Sequence, residues 1–142
     1  MEYPCEFYVM DIFEPEWSVA VLHDVFQNMP QLFEQFCADL LTDHGFQARV
    51  TPYVHDGGYD IELHRDGCRY LAECKCYDMN RSVARPAVQR LVGVNAVEQA
   101  DGLILMTTGY FTEGAREYAG QTGVILLDNA ELTRLCRSSS LF

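Results

Sequence analysis

Lys75 is the only lysine in a chain of 142 residues, and it closes the triplet Glu73-Cys74-Lys75. Asp60 precedes Glu73 by thirteen residues, inside Asp56-Gly57-Gly58-Tyr59-Asp60. Side chains alternate along a strand, so Glu73 and Lys75 would share one face while Cys74 and Cys76 turn to the other. A hairpin would fold Asp60 alongside Glu73, and Gly57 and Gly58 would admit a close backbone approach. Two carboxylates and a peptide carbonyl, that of Cys74 being the natural candidate, form an oxygen-rich site suited to Mg²⁺ or Mn²⁺. Such an ion neutralises a phosphate, lowers the pKa of bound water and orients it for in-line attack. An ammonium beside it would hold the attacking water and shield developing negative charge. Acid-x-lysine triplets also occur on exposed strand faces with no function. The double glycine, the lone lysine and the order of elements set this one apart.

Arg81, Arg85 and Arg90 flank the triplet in the following loop and helix. They could position phosphates or simply be solvated. Thr107-Thr108-Gly109 ends an apolar run, where backbone amides could approach a ligand; a tight strand-to-helix connection is the simpler account. His23, His44, His55 and His64 form no ligand spacing. Cys74 and Cys76 are separated by one residue, closer than the usual zinc spacing. With no secretory context for disulfides, the six cysteines read as buried free thiols.

The elements that must position these groups follow from periodicity. Cys5 to Phe13 is expected as a strand, and Pro15 as the start of a helix with an apolar stripe of Trp17, Val21, Leu22, Val25, Phe26 and Met29. Pro30 opens a second helix, carrying Phe33, Phe36, Cys37, Leu40 and Leu41 and closed by Gly45. Gln47–Thr51, Tyr59–His64 and Arg69–Tyr77 read as strands, the last two joined through Asp66-Gly67, a strong hairpin signal. A helix is expected from Pro86, with Val88, Leu91, Val92, Asn95 and Ala96 along one side. Gly102–Thr107 and Val124–Leu127 read as buried strands, and Thr112–Gln121 and Ala130–Arg137 as helices. The order predicts an α/β sandwich, a mixed sheet flanked by helices.

Length and composition set the frame. The chain is expected to be one core-forming domain, at 49% hydrophobic and 22% charged residues. No apolar run approaches the roughly 20 residues of a membrane span. The first residues lack the basic flank of a secretory signal, so a cytoplasmic protein is expected. Net charge is −11, the wrong sign for gripping nucleic acid by electrostatics alone. Its distribution softens the objection. Residues 1–48 hold nine acids and no lysine or arginine, whereas residues 49–142 hold all ten basic residues against twelve acids.

The blocks FEQFCADLLTDHGFQARVT, DGGYDIEL, YLAECKCYD, RPAVQRLVG, LILMTTGYFTEGAREYA and GVILLDNAEL occur in that order from Leu32 to Leu135. In these the chain resembles the Mrr-like catalytic domain of the restriction-endonuclease-like superfamily, the PD-(D/E)xK nucleases. The resemblance implies metal-dependent hydrolysis of DNA. The family's motif acid falls on Asp60 and its lysine on Lys75. Many Mrr-like domains carry glutamine where this chain has Glu73, and the acid matches the wider superfamily. A helix glutamate falls on Glu34, where it could complete the metal shell or be an exposed carboxylate. A recurrent glutamine falls on Gln89, with a supporting or a packing role. The expected organisation is an acidic N-terminal extension of strand and helix over residues 1–31, packed on the core or forming an interface, and an Mrr-like endonuclease domain over residues 32–142.

The leading expectation is a Mg²⁺-dependent endodeoxyribonuclease in restriction, defence or DNA repair. It would act on double-stranded DNA as a homodimer, since one catalytic domain makes one nick. The alternative is a catalytically weak or inactive endonuclease fold that docks a partner protein through its acidic N-terminal region. Cleavage of RNA or branched DNA would use the same chemistry.

Overall fold

The computed structural model describes residues 20–52 and 57–141. The strand expected over Cys5–Phe13, the helix start at Pro15 and His55 lie outside them. Helices α1 (Ala20–Phe26) and α2 (Pro30–Asp43) lead into an antiparallel meander of β1 (Gln47–Val50), β2 (Ile61–Arg65) and β3 (Cys68–Lys75). The chain continues through β4 (Ser82–Val83), α3 (Arg85–Glu98), β5 (Gly102–Thr107), β6 (Tyr110–Phe111), α4 (Glu113–Thr122), β7 (Ile125–Leu127) and α5 (Asn129–Arg137). β5 pairs in parallel with both β3 and β7, giving a mixed sheet in the order β1-β2-β3-β5-β7. This is the mixed sheet flanked by helices, an α/β sandwich, that the order of elements predicted.

Local chemistry explains the corners. The two-residue turn between β2 and β3 needs positive φ at both positions, and Asp66 and Gly67 adopt 53° and 81°. Thr112 caps α4 by accepting the Ala115 N–H, and Gly123 ends that helix at φ 78°. Asp128 caps α5 by accepting the N–H groups of Ala130 and Glu131.

The sheet is covered on both faces. Phe26, Phe33 and Phe36 of α1 and α2 pack with Leu132 and Cys136 of α5 against Ile61, Ala72, Ile104 and Met106. Val88 and Leu91 of α3 and Ala115 and Ala119 of α4 cover Leu71, Leu103 and Leu105 on the other face. β5 therefore alternates between two dry layers, which is why its sequence reads as one apolar run. Each fully buried phenylalanine contributes roughly 2–3 kcal/mol by burial. Leu22 and Phe26 share the α2 core, so this part of the acidic N-terminal segment packs on the sheet.

Three sequence expectations change. β7 is an edge strand rather than one buried on both faces, with Ile125 46% exposed. Met29 lies outside α1, exposed at the start of α2, and Ala96 of α3 is exposed. The parallel pair β4–β6 was not foreseen. No helix among the described residues is long and apolar enough to cross a membrane.

Candidate active site

β3 presents the central residues by simple alternation. Ala72 and Cys74 pack toward α2, whereas Leu71 packs toward α3 and Glu73 meets Arg90 of that helix. Asp60 stands one residue before β2, where the ladder opens. Its N–H still donates to the Ala72 carbonyl at 2.9 Å. The Cys74 N–H, however, donates to the Asp60 Oδ2 carboxylate at 2.7 Å. That bond anchors the acid beside the strand bearing Glu73. Two residues earlier, Gly58 has φ +82°, and a Cβ there would stand 2.5 Å from Val94 Cγ2. Close passage over α3 thus requires glycine at that point.

The structure brings Asp60, Glu73, Lys75 and Glu34 together. Glu34, on α2, donates a side-chain hydrogen bond to the Asp60 carboxylate. Burial, and then the neighbouring Asp60 charge, push the Glu34 carboxyl up to about 7. Burial also raises Asp60 and Glu73, against the opposing pull of Lys75 and Arg90 on both. Glu73 is buried, with Lys75 Nζ 3.7 Å from its Oε2 and Arg90 bonded to its Oε1. At 3.7 Å the lysine forms an ion pair rather than a hydrogen bond, which leaves Glu73 Oε2 buried with no hydrogen-bond partner.

Three acids from three elements, all shifted upward by burial, make a site short of positive charge. Their oxygen chemistry and the orphaned Glu73 oxygen fit a hard divalent ion. Arg90 already takes the second Glu73 oxygen, and the His, Cys, Asp and Glu side chains described do not by themselves close into a ligand group of three. Accommodating an ion would therefore require Arg90 to yield.

Gln89, Arg81 and Arg85 make no hydrogen bond or ion pair with these acids among the described residues. Gln89 is exposed and makes no side-chain hydrogen bond among the described residues. Arg81 and Arg85 lie over the rings of Tyr77 and Tyr118, at 3.7 and 4.8 Å from the centroids. The cysteines facing α2 are uncharged: a hydrogen bond to Cys37 and burial push Cys74 up, and burial takes Cys76 to about 12.

Thr108 has a role that sequence reading passed over. Its N–H donates to the Lys75 carbonyl at 3.1 Å, and its hydroxyl accepts the Tyr77 N–H at 2.7 Å while donating to the Tyr77 carbonyl. A polar threonine directly after the apolar run of β5 was the available signal, but only the fold shows that it is fully buried and what it holds.

Comparison with known proteins bears on the fold and the family. The uncharacterized protein y4cE of Sinorhizobium fredii (strain NBRC 101917 / NGR234) is 30% identical over 91 residues, covering 61% of this chain and 23% of that protein. The DNA modification-dependent restriction endonuclease AspBHI shares the fold at TM-score 0.69 and 23% identity, over 84% of this chain and 34% of its own. MspJI restriction endonuclease, solved in complex with a 27-mer oligonucleotide, matches at TM-score 0.66 and 19% identity, over 82% of this chain and 30% of its own. This chain thus spans well under half the length of each. The Mrr catalytic-domain family, described as restriction endonuclease, matches residues 26–136, nearly the whole of the described structure, and the chain belongs to that family.

Proposed function

We propose that this chain is an endodeoxyribonuclease that hydrolyses phosphodiester bonds with a divalent ion, Mg²⁺ or Mn²⁺. Asp60, Glu73, the Cys74 carbonyl and Glu34 would hold the ion. The observation that carries the reading is the buried Glu73 Oε2, which has no hydrogen-bond partner and lies 3.7 Å from Lys75 Nζ. A buried acceptor without a donor is costly, by about 1–3 kcal/mol, and a cation would satisfy it. When bound, the ion supplies charge neutralisation at the phosphate and a more acidic water.

The chain's own groups do the rest. The Cys74 N–H fixes the Asp60 carboxylate, so that acid does not have to reorganise during reaction. Lys75 holds the attacking water and shields charge growing on the phosphate oxygens. Arg90 leaves Glu73 for a phosphate oxygen, Arg81 and Arg85 steady the backbone, and Gln89 supports from the same helix. Two copies acting together would cut both strands, and a role in restriction, defence or DNA repair follows from that activity.

The test is cleavage of supercoiled plasmid with and without Mg²⁺ or Mn²⁺, using the parent and Lys75→Ala. Metal-dependent nicking by the parent and none by the variant is the expected result. Equal cutting by both removes Lys75 from the mechanism. Parallel incubations with RNA and branched DNA assign the substrate.

A second reading, an inactive scaffold that docks a partner through its acidic N-terminal region, is favoured by the net charge of −11 and by Arg90 seated on Glu73. Titration with Mn²⁺ separates the two. Absence of binding at millimolar metal favours the scaffold.

A further inference from the structure

Eight of the nine arginines of this chain divide into two sets. Arg49, Arg65, Arg69, Arg90, Arg116 and Arg134 each pair with a carboxylate. Arg81 and Arg85 have no carboxylate partner among the described residues; each lies over a tyrosine ring instead. Both are exposed, Arg81 in the connection that leaves the Lys75 end of β3 and Arg85 at the start of α3. Across residues 74–97 there are four cations and a single acid, Asp78. Asp78 accepts the Asn80 N–H at 2.9 Å through Oδ1. Lys75 and Arg90 pair with Glu73, so the positive charge left unmatched on this edge is that of Arg81 and Arg85.

A groove of about 170 Å³ runs from Lys75 past Tyr77, Arg81, Ser82 and Val83 to Pro86. That volume is below the range of about 300 Å³ and upward that encloses a whole small-molecule ligand. It suits one phosphate group of a strand lying across the surface.

The groove is built, not incidental. Thr108 holds both backbone polar groups of Tyr77. The Arg81 N–H donates to the Asp78 carbonyl at 2.9 Å, and the Arg81 carbonyl accepts the Tyr110 N–H at 3.1 Å. A Cβ on Gly109 would stand 2.2 Å from the Arg81 carbonyl oxygen, so only glycine permits this approach. The two-stranded β4–β6 sheet thus fixes the backbone under Arg81. Seated 3.7 Å from the Tyr77 centroid, the guanidinium is held by cation–π attraction. Its planar fork of N–H donors is matched to phosphate oxygens and has no internal acceptor to leave.

We propose that this groove is a phosphate subsite, in which Arg81, seated on Tyr77, binds the backbone phosphate next to the one at Lys75. The proposal rests on the nuclease reading for its substrate and specifies how that substrate is held. It assigns Arg81 to binding rather than to bond cleavage. Affinity should therefore depend on it, while metal binding should not.

The experiment measures anisotropy of a short labelled DNA duplex with the full chain, in Ca²⁺, from about 50 to 200 mM salt. Arg81→Gln should weaken binding about tenfold and lower the slope of log affinity against log salt by about 0.9, the value of one lost phosphate contact. Arg81→Lys should keep the slope and recover only part of the affinity, because an ammonium has no fork. Tyr77→Leu should keep the slope and lose affinity, because the charge remains while its seat is gone. Mn²⁺ titration of Arg81→Gln should match the parent. Unchanged affinity and slope in Arg81→Gln would overturn the subsite, and if that protein still nicks plasmid the nuclease reading stands. Arg81-dependent binding without cleavage by the parent would sink the nuclease reading and leave the subsite standing. No binding of DNA by the parent would overturn both.

Discussion

The β2–β3 hairpin carries two charge clusters in opposite states. At one end Glu62 accepts from His64 at 2.9 Å and pairs with Arg69 at 3.5 Å and Arg49 at 3.6 Å. Arg69 also donates to the Glu98 carbonyl at 2.9 Å and its carboxylate at 3.0 Å. His64 first, then Arg69, hold the Glu62 carboxyl below its ordinary value. At the other end burial lifts Asp60, Glu73 and Glu34, and one carboxylate oxygen has no hydrogen-bond partner. The contrast separates a staple from a site. Charges that satisfy one another tie β2 and β3 to the end of α3. Charges left short of a partner create a standing demand for a cation or a substrate.

Several measurements can break or sharpen that contrast. Lys75→Ala should have the largest effect, a loss of about 10²–10³-fold or more in metal-dependent plasmid cleavage, with an unchanged far-ultraviolet spectrum. Arg69→Ala, at the paired end, should leave cleavage intact. If both variants lose cleavage equally, the two clusters are not functionally distinct. Next comes Gly58→Ala, which forces a side chain into positive φ and against Val94; thermal unfolding should show about 2–3 kcal/mol of lost stability. That change lies next to Asp60, so cleavage should fall with it. Arg69→Ala itself should cost only about 1 kcal/mol, since part of its network is solvent-screened, and should lower Tm by a few degrees.

The smallest expected effect is the clearest test of opposite sign. Glu34 titrates at about 7 when folded, against an ordinary value of 4.5. Between these values the folded state holds a proton that the unfolded chain has released. Stability of the metal-free protein should therefore fall as pH rises across that window, and Glu34→Gln should reduce the slope, leaving the part that Asp60 and Glu73 contribute. Glu62 runs the other way. Its depressed folded value stabilises the fold above the ordinary carboxylate range, and that contribution is lost as pH falls through the folded value. Unfolding curves of Glu34→Gln and Glu62→Gln across pH would merge the two clusters if both changed slope in the same direction.

Much of the framework was legible beforehand, for identifiable reasons. Asp66-Gly67 admits few backbone geometries, so the hairpin and its pairing could be read directly. Two-residue periodicity then put Glu73 and Lys75 on one face and the cysteines on the other. The apolar run of β5 signalled a doubly covered strand. The strands β4 and β6 left no comparable trace, because each has two residues and they pair across a long separation. The exposure of Ile125 also escaped notice, since an edge strand with one partner reads much like an internal one when it is three residues long.

For this protein, the order of residues alone determined the alternation of the motif strand, the tight hairpin and the helical stripes. All of these are consequences of local backbone geometry. Which charges would meet was decided only in three dimensions. Arg90 reaching Glu73 across 17 positions, Glu34 bonding Asp60 from another helix, and Thr108 gripping Tyr77 across 31 depend on how the layers stack. Coulombic attraction and burial act through distance and solvent exclusion, and neither is written in the spacing of a linear chain.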